Sequence, residues 1–205
     1  MKIIAVGMNY ATHNQEMKHT EANADPVIFL KPDSALLTGG KPFFVPDFLG
    51  AIHYETEVVV RISRLGRHIA PRFAHRYYDA VTVGIDFTAR ELQSRLRAEG
   101  KPWELSKGFD GSAAIGTFVP LAEAGGDVQA LDFHLDIDGR EVQHGNSADM
   151  LFTVDRIIAY VSRFMTLKMG DLLFTGTPAG VGAVAPEQHL QGYLGETKVL
   201  DFYCK

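Results

Sequence analysis

Residues 53–60 read HYETEVVV and place two glutamates, Glu55 and Glu57, one residue apart at the start of a run of valines. Because side chains alternate across a strand, both carboxylates are expected to point to the same face. Two neighbouring like charges are costly unless a positive group lies between them. The pair therefore favours a cationic partner between the two carboxylates.

A third carboxylate, Asp86, ends the apolar segment VGID and stands just before a predicted helix. Together with Glu55 and Glu57 it would supply only oxygen ligands, which favour a hard ion such as Mg²⁺ or Mn²⁺ over Zn²⁺. Two alternatives stay open on spacing alone. Glu-x-Glu is common on solvated strands, and an aspartate before a helix often serves as its N-cap.

A histidine and a glutamate, His13 and Glu16, stand three residues apart in the segment NYATHNQE. If this segment is helical they are neighbours on one face, with Cβ atoms about 5–6 Å apart. A carboxylate beside an imidazole fixes its tautomer and raises its basicity, which makes a general base able to activate water. The alternative is a polar surface turn.

Two further segments could contact an anionic substrate. Lys107 is predicted to lie in a short glycine-flanked loop, from which it could neutralise a developing enolate or oxyanion, although a solvated lysine is the commoner case. The segment FTGTPAGVG at residues 174–182, which contains Gly176 and Thr177, would offer backbone N–H groups and a hydroxyl to a substrate carboxylate. It matches neither a Walker loop nor a Rossmann fingerprint.

Composition narrows the class of protein. The chain has 205 residues, 46% of them hydrophobic and 22% charged, which predicts a single globular domain over residues 1–205. The net charge of −5 argues against nucleic-acid binding, and we interpret the five arginines between residues 61 and 76 as a solvated loop. One cysteine, Cys204, fits a reducing cytoplasm, and no signal peptide or membrane span is expected.

The elements that must position these residues are mostly strands. Strands are not regularly alternated with helices, so a β-rich α+β domain is favoured over a doubly wound sheet. Residues 131–144 predict a hairpin that turns at Asp138-Gly139. Other strands are predicted at residues 2–6, 27–30, 57–62, 81–85, 170–176 and 197–204, and helices at residues 71–81, 88–100 and 153–167.

Two of these segments carry more detailed predictions. The helix that starts at Thr153 is expected to bury Ile157, Ile158, Val161 and Phe164. Residues 11–26 form the most polar long segment, so we expect them to lie on the surface and to be mobile.

The order of the motifs resembles the fumarylacetoacetate hydrolase family, most closely its short single-domain, acylpyruvase-like members. Each motif alone is weak, but the ordered set is specific and spans nearly the whole chain. The motifs are Asn9-Tyr10-x-x-His13-x-x-Glu16, Lys31-Pro32-x-Ser34-Ala35, Glu55-x-Glu57, Asp86-x-Thr88-Ala89-Arg90-x-x-Gln93, Lys107-x-Phe109-Asp110, Gly170-Asp171 and Gly176-Thr177-Pro178-x-Gly180-Val181-Gly182. Two departures, Glu91 for aspartate and Gly108 for serine, put substrate preference in doubt.

The resemblance implies a rolled, mixed β-sheet of the β-clip type with a few peripheral helices, a homodimer, and one Mg²⁺ or Mn²⁺ per subunit. It also implies a role for each matching residue. The implied metal ligands are Glu55, Glu57 and Asp86. The implied catalytic residues are Lys107 and the pair His13 and Glu16, which lies on a segment, residues 11–26, that closes over the substrate as a mobile lid. The implied substrate-binding residues are Arg90, Gln93, Gly176 and Thr177.

The implied activity is metal-dependent hydrolysis of a C–C bond in small 2,4-dioxo acids of the acylpyruvate or fumarylpyruvate type, through a pyruvate enolate. The same site could decarboxylate oxaloacetate, because that reaction also passes through an enolate. It could also isomerise or hydrate 2-hydroxymuconate-type acids, since the family that the chain resembles includes both activities. A catalytically inactive oxo-acid-binding protein is the alternative from a different class. It would be favoured if the ligands or the His13–Glu16 pair were broken, and they are intact.

Overall fold

The computed structural model describes residues 1–17 and 24–205. Fifteen strands lie within these residues and are numbered in chain order: β1 Ile3–Gly7, β2 Val27–Lys31, β3 Leu36–Leu37, β4 Ile52–Tyr54, β5 Thr56–Ile62, β6 Tyr78–Asp86, β7 Thr88–Ala89, β8 Ala113–Ile115, β9 Val119–Pro120, β10 Asp132–Ile137, β11 Arg140–Asn146, β12 Leu172–Phe174, β13 Gly182–Ala183, β14 His189–Leu194 and β15 Thr197–Tyr203. The α-helices of the same residues are α1 Ala11–Glu16, α2 Arg90–Ala98, α3 Glu104–Lys107 and α4 Val154–Phe164. Short 3₁₀ helices span Asp33–Ala35, Pro71–Arg76 and Ser147–Asp149.

The strands form three sheets. The largest has the order β2-β1-β12-β5-β6-β8-β3, with β9 beside β6, and it is mixed because the β1–β12 and β3–β8 pairs are parallel. A four-stranded sheet has the order β11-β10-β14-β15, and a three-stranded sheet has the order β13-β4-β7. The predicted β-rich α+β class with a mixed sheet is therefore confirmed.

The valines of β5 explain why this strand is a rigid support. Val58 and Val60 belong to a hydrophobic cluster that includes Ile157 of α4, whereas Val59 packs in a second cluster with Phe174 of β12. Both faces of the strand are thus buried, which accounts for its continuous rather than alternating apolar run. Each fully buried valine contributes roughly 1.5–3 kcal/mol of stabilisation, so the position of β5 is well fixed.

The predicted hairpin is present as β10 and β11. Its two turn residues, Asp138 and Gly139, have φ angles of 53° and 77°. Positive φ at both central positions is typical of a type I′ turn, whose twist matches the flanking strands. The hairpin places the middle of β11 next to the segments that carry the candidate site.

The predicted helices are partly correct. Helix α4 begins after Thr153, whose hydroxyl accepts the Arg156 N–H at 3.3 Å, and it buries three of the four expected residues. Phe164 is 64% exposed instead, because it lies at the helix end and packs on Tyr160 with ring centroids 5.2 Å apart. Among the described residues no helix combines the length and apolarity needed to cross a membrane.

Two helix boundaries were wrong. The helix predicted from residue 71 ends at Arg76, and the chain continues as β6, because β-branched residues such as Val81 and Val83 pair with β5. Helix α2 begins at Arg90 rather than Thr88, since residues 88 and 89 form β7 against β4. In both cases strand pairing at long range overrides a local helix signal.

Candidate active site

The three candidate metal ligands meet at adjacent ends of β5 and β6. Glu55 immediately precedes β5, Glu57 is its second residue, and Asp86 is the last residue of β6. The Asp86 N–H donates to the Glu55 carbonyl at 2.9 Å, and one oxygen from each carboxylate lies within 4.8 Å of the others. All three side chains are buried, and the residue that precedes α2 is Ala89. The solvated-strand and N-cap alternatives are therefore both excluded.

Lys107 lies inside this carboxylate cluster. It is the buried last residue of α3, not a loop residue as predicted, because its N–H completes a helical turn to the Trp103 carbonyl. Its ammonium donates to Glu55 Oε2 at 2.8 Å, to Asp86 Oδ2 at 2.7 Å and to Thr88 Oγ1 at 2.7 Å. Burial lowers the pKa of Lys107, but the two carboxylates outweigh burial and hold this pKa above its usual value.

A second buried lysine, Lys31 at the end of β2, supports the cluster from behind. Its Nζ lies 2.6 Å from Asp86 Oδ1 and donates to the carbonyl oxygens of Lys107 and Ser112. Burial lowers the pKa of Lys31, and the Asp86 carboxylate offsets part of that effect. The sequence placed Lys31 in the motif Lys31-Pro32-x-Ser34-Ala35, but nothing in that motif indicated that the lysine is buried against Asp86.

Arg90 and Gln93 lie three residues apart on α2 and line the same pocket as the carboxylates. The Arg90 guanidinium forms an ion pair with Glu55 Oε1 and donates to Gln93 Oε1 at 2.7 Å. Burial raises the pKa of Glu55, but the charges of Lys107 and Arg90 outweigh burial and hold this pKa well below its usual value. Glu55 is therefore ionised and oriented by two basic side chains.

Glu57 differs from the other two carboxylates. Its Oε2 accepts the Gly176 N–H at 2.7 Å, but none of the basic side chains in residues 1–17 and 24–205 lies within ion-pair distance of it. Burial and the neighbouring Asp86 carboxylate raise the pKa of Glu57 well above its usual value. Within the part of the chain that the structure describes, this buried carboxylate lies beside two others without an ion-pair contact to a basic side chain, which fits a divalent cation held by oxygen ligands.

His13 and Glu16 form the predicted pair on α1. His13 Nδ1 lies 3.2 Å from Glu16 Oε2, and His13 is buried against the pocket. With Nδ1–H donated to the carboxylate, Nε2 keeps the free lone pair that a general base needs. Glu16 in turn accepts the Gly180 N–H at 3.2 Å, so the pair is tied to the 174–182 segment.

Gly176 and Thr177 hold that segment against β5. Gly176 has φ of 101°, and a Cβ there would lie 2.7 Å from the Asn9 Cβ, so only glycine fits. The Thr177 hydroxyl donates to the Thr56 carbonyl at 2.9 Å and accepts from Gln143 Nε2 at 2.8 Å. Because the Thr177 hydroxyl proton is already donated to the Thr56 carbonyl, this hydroxyl cannot donate to a substrate carboxylate in this arrangement.

One pocket gathers the candidate residues. Eight of the ten sequence-predicted site residues line it, while Glu16 and Gly176 reach it only through His13 and Glu57. Met17 also lines the pocket, so the start of the segment predicted as a lid forms one wall. Residues 18–23 of that segment lie outside the described residues, and the lid stays a prediction.

Comparison with known proteins gives a consistent result. A family model described as fumarylacetoacetate (FAA) hydrolase C-terminal matches residues 2–201. The chain is 36% identical over 203 residues to the oxaloacetate tautomerase YcgM of Escherichia coli (strain K12), covering 97% of the chain and 92% of the relative. It is 40% identical over 188 residues to a mitochondrial oxaloacetate decarboxylase of Dictyostelium discoideum, covering 91% and 85%.

A solved structure adds a bound metal to this comparison. The chain superposes on fumarylpyruvate hydrolase from Pseudomonas aeruginosa in complex with Mn²⁺ and pyruvate, with a TM-score of 0.92 and 34% identity. The similarity covers 100% of the chain and 89% of the hydrolase.

Proposed function

The chain belongs to the fumarylacetoacetate hydrolase family, and on that premise we propose that it is a metal-dependent enzyme that interconverts the keto and enol forms of oxaloacetate. This reaction was not among those expected from the sequence, which put C–C bond hydrolysis first and oxaloacetate decarboxylation or isomerisation of 2-hydroxymuconate-type acids second. The reason for proposing it is that relatives with 36% and 40% identity are an oxaloacetate tautomerase and an oxaloacetate decarboxylase. The structural observation that carries the proposal is the buried carboxylate cluster, which shares one pocket with Lys107, Arg90 and His13.

Glu55, Glu57 and Asp86 are the residues that would hold Mg²⁺ or Mn²⁺. When bound, the ion supplies charge stabilisation for an oxygen of the substrate that becomes negative as the enolate forms. Glu57 has no ion pair with a basic side chain of residues 1–17 and 24–205, which supports this assignment, and so does the Mn²⁺ in the hydrolase structure.

The side chains of the pocket supply the proton transfer. Enolisation of a 2-oxo acid removes a proton from C3, and His13 Nε2 is the proposed acceptor because Glu16 holds Nδ1–H. Return of that proton to the C2 oxygen completes the tautomerisation, with no net gain or loss of atoms. Lys107 and Arg90 place two positive charges in the pocket, where they favour the enolate over the ketone.

Hydrolysis of 2,4-dioxo acids is the second candidate, favoured by the same His13–Glu16 pair. His13 would take a proton from water, and the hydroxide would attack the C4 carbonyl. The C3–C4 bond then breaks with its electron pair left on C3, which gives pyruvate as its enolate and releases the C4 fragment as a carboxylic acid. The structural relative with bound pyruvate is a fumarylpyruvate hydrolase, which supports this alternative.

A paired assay separates the two candidates. The protein loaded with Mn²⁺ is given enol oxaloacetate, with the enol absorbance followed, and acetylpyruvate, with pyruvate release followed. We expect faster turnover of oxaloacetate, and a loss of ~10²–10⁴ in rate for His13→Gln. His144→Gln is a matched control, because His144 is exposed and lies 3.4 Å from Glu141 three residues away. If the wild type tautomerises oxaloacetate no faster than His13→Gln does, the proposal is refuted. If the wild type releases pyruvate from acetylpyruvate faster than it tautomerises oxaloacetate, hydrolysis is favoured.

We also propose that the protein is a homodimer. Phe44, Phe48 and Leu105 are exposed by 70%, 80% and 71%, and Phe48 lines two grooves, one with Phe44 and the other with Leu105. Neighbouring large apolar side chains at a surface are typical of protein interfaces. Light scattering should give twice the chain mass for the wild type and one chain mass for Phe48→Asp, and a monomeric wild type would contradict the proposal.

A further inference from the structure

Gln143, in the middle of β11, is a buried amide that does not line the pocket. Its Oε1 accepts the Thr56 N–H at 2.9 Å, and its Nε2 donates to Thr177 Oγ1 at 2.8 Å and to the Pro178 carbonyl at 2.9 Å. Thr56 is the residue between the two cluster glutamates. One side chain, exposed by only 3%, therefore joins the carboxylate strand to the 176–180 loop.

That loop, in turn, holds two carboxylates of the candidate site through its backbone. The Gly176 N–H donates to Glu57 Oε2 at 2.7 Å, and the Gly180 N–H donates to Glu16 Oε1 at 3.2 Å. These are the carboxylate without a basic partner in the described residues and the carboxylate that orients His13. A shift of the loop would move both hydrogen-bond donors at once.

The same strand also supports the loop by packing. Gly145 is two residues beyond Gln143, so both face the same side of β11. A Cβ at Gly145 would lie 2.7 Å from Pro178 Cγ, and a Cβ at Gly180 would lie 3.4 Å from Gln143 Cγ. Strand β11 therefore packs against the 176–180 loop, and Gln143 joins the two by hydrogen bonds.

We propose that Gln143 is a positioning residue that fixes the 176–180 loop, and through it the placement of Glu57 for metal binding and of Glu16 for His13. The inference rests on the metal-binding part of the proposed function. This positioning role differs from a purely structural one, because removal of the Gln143 amide should lower the affinity for the metal as well as the stability of the fold.

Gln143→Met tests this, because methionine is similar in length and cannot form the three hydrogen bonds. We expect the Kd for Mn²⁺, measured from the electron paramagnetic resonance signal of the free ion, to rise by ~10–100-fold, as for other residues that orient metal ligands. Gln129→Met is the matched control. Gln129 bonds the Ser147 carbonyl at 2.6 Å and the Val154 N–H at 3.0 Å, away from the pocket, so it should lose stability in urea but keep the wild-type Kd.

Gly145→Ala is the second variant and decides the matter if Gln143→Met does not fold. It keeps the glutamine, but its added Cβ would lie 2.7 Å from Pro178 Cγ and 2.8 Å from Phe133 Cζ. The loop should then shift away from β11, so the Kd for Mn²⁺ should again rise. Wild-type affinity in Gln143→Met, or in Gly145→Ala where the first does not fold, would overturn the inference. If the wild type itself fails to bind Mn²⁺, the metal-binding part of the proposed function is refuted, and the inference falls with it.

Discussion

Replacing Glu57 with glutamine should weaken metal binding and stabilise the metal-free fold, two effects of opposite sign. Glutamine keeps the shape of the side chain and can still accept the Gly176 N–H. It removes the negative charge of a buried carboxylate that lies beside Asp86 and has no basic partner among residues 1–17 and 24–205. The charge that disfavours the metal-free fold is thus the charge that a divalent cation needs.

The effect with metal follows from mass action. At a Mn²⁺ concentration of 100 times its Kd, the wild type gains about 2.7 kcal/mol in its free energy of unfolding. Loss of a direct ligand is expected to weaken binding by at least ~100-fold, the upper end of the range for residues that only orient ligands. At the same Mn²⁺ concentration the variant would then gain no more than about 0.4 kcal/mol.

The effect without metal has a defined pH dependence. Burial and Asp86 raise the pKa of Glu57 above its usual value of 4.5, so the folded state keeps a proton that the unfolded state releases. The free energy of unfolding therefore falls as pH rises from about 4.5 towards the folded-state pKa, by up to ~1.4 kcal/mol per pH unit for one proton. Glu57→Gln lacks this loss, so its advantage over the wild type should widen with pH in that window.

Urea denaturation measures both effects. Curves for the wild type and Glu57→Gln are recorded in chelator at several pH values above 4.5, and again with Mn²⁺. A variant that is less stable than the wild type in chelator would show that the Glu57 charge does not destabilise the metal-free fold. Equal stabilisation of the two proteins by Mn²⁺ would show that Glu57 is not a metal ligand.

Three further substitutions test other parts of the cluster. Lys107→Met should lower the turnover rate by ~10²–10³-fold. Because an ammonium repels a cation, the variant should bind Mn²⁺ at least as tightly as the wild type by calorimetry, and weaker binding would contradict this repulsion. Lys31→Met should destabilise the metal-free protein by ~3–5 kcal/mol in urea, since Asp86 loses a buried partner; an unchanged midpoint would argue against that pair. Asn9→Ala leaves the Thr175 carbonyl and the Phe152 N–H without the Asn9 side chain as partner. It should lower the free energy of unfolding in urea by ~1–3 kcal/mol, and a smaller decrease would show that water replaces the amide.

Local periodicity determined much of the site from the sequence alone. The one-residue spacing of Glu55 and Glu57 placed both carboxylates in one cluster, and the three-residue spacing of His13 and Glu16 placed them in contact on α1. The Asp138-Gly139 turn likewise fixed the hairpin. These features depend on the repeat of a strand, a helix or a turn, which neighbouring residues specify by themselves.

Only the tertiary structure decided which charges and amides meet. Lys31 reaches Asp86, and Gln143 reaches Thr56 and Thr177, across strands that are distant in sequence. The strand pairing of β6 also overrode the helix predicted after Arg76. Burial and distance set the energies of charges and hydrogen bonds, and both quantities exist only once the sheets have packed. The sequence thus determined which groups are present and how local pairs align. Packing determined that Glu55 and Asp86 have basic partners, while Glu57 has none among the described residues.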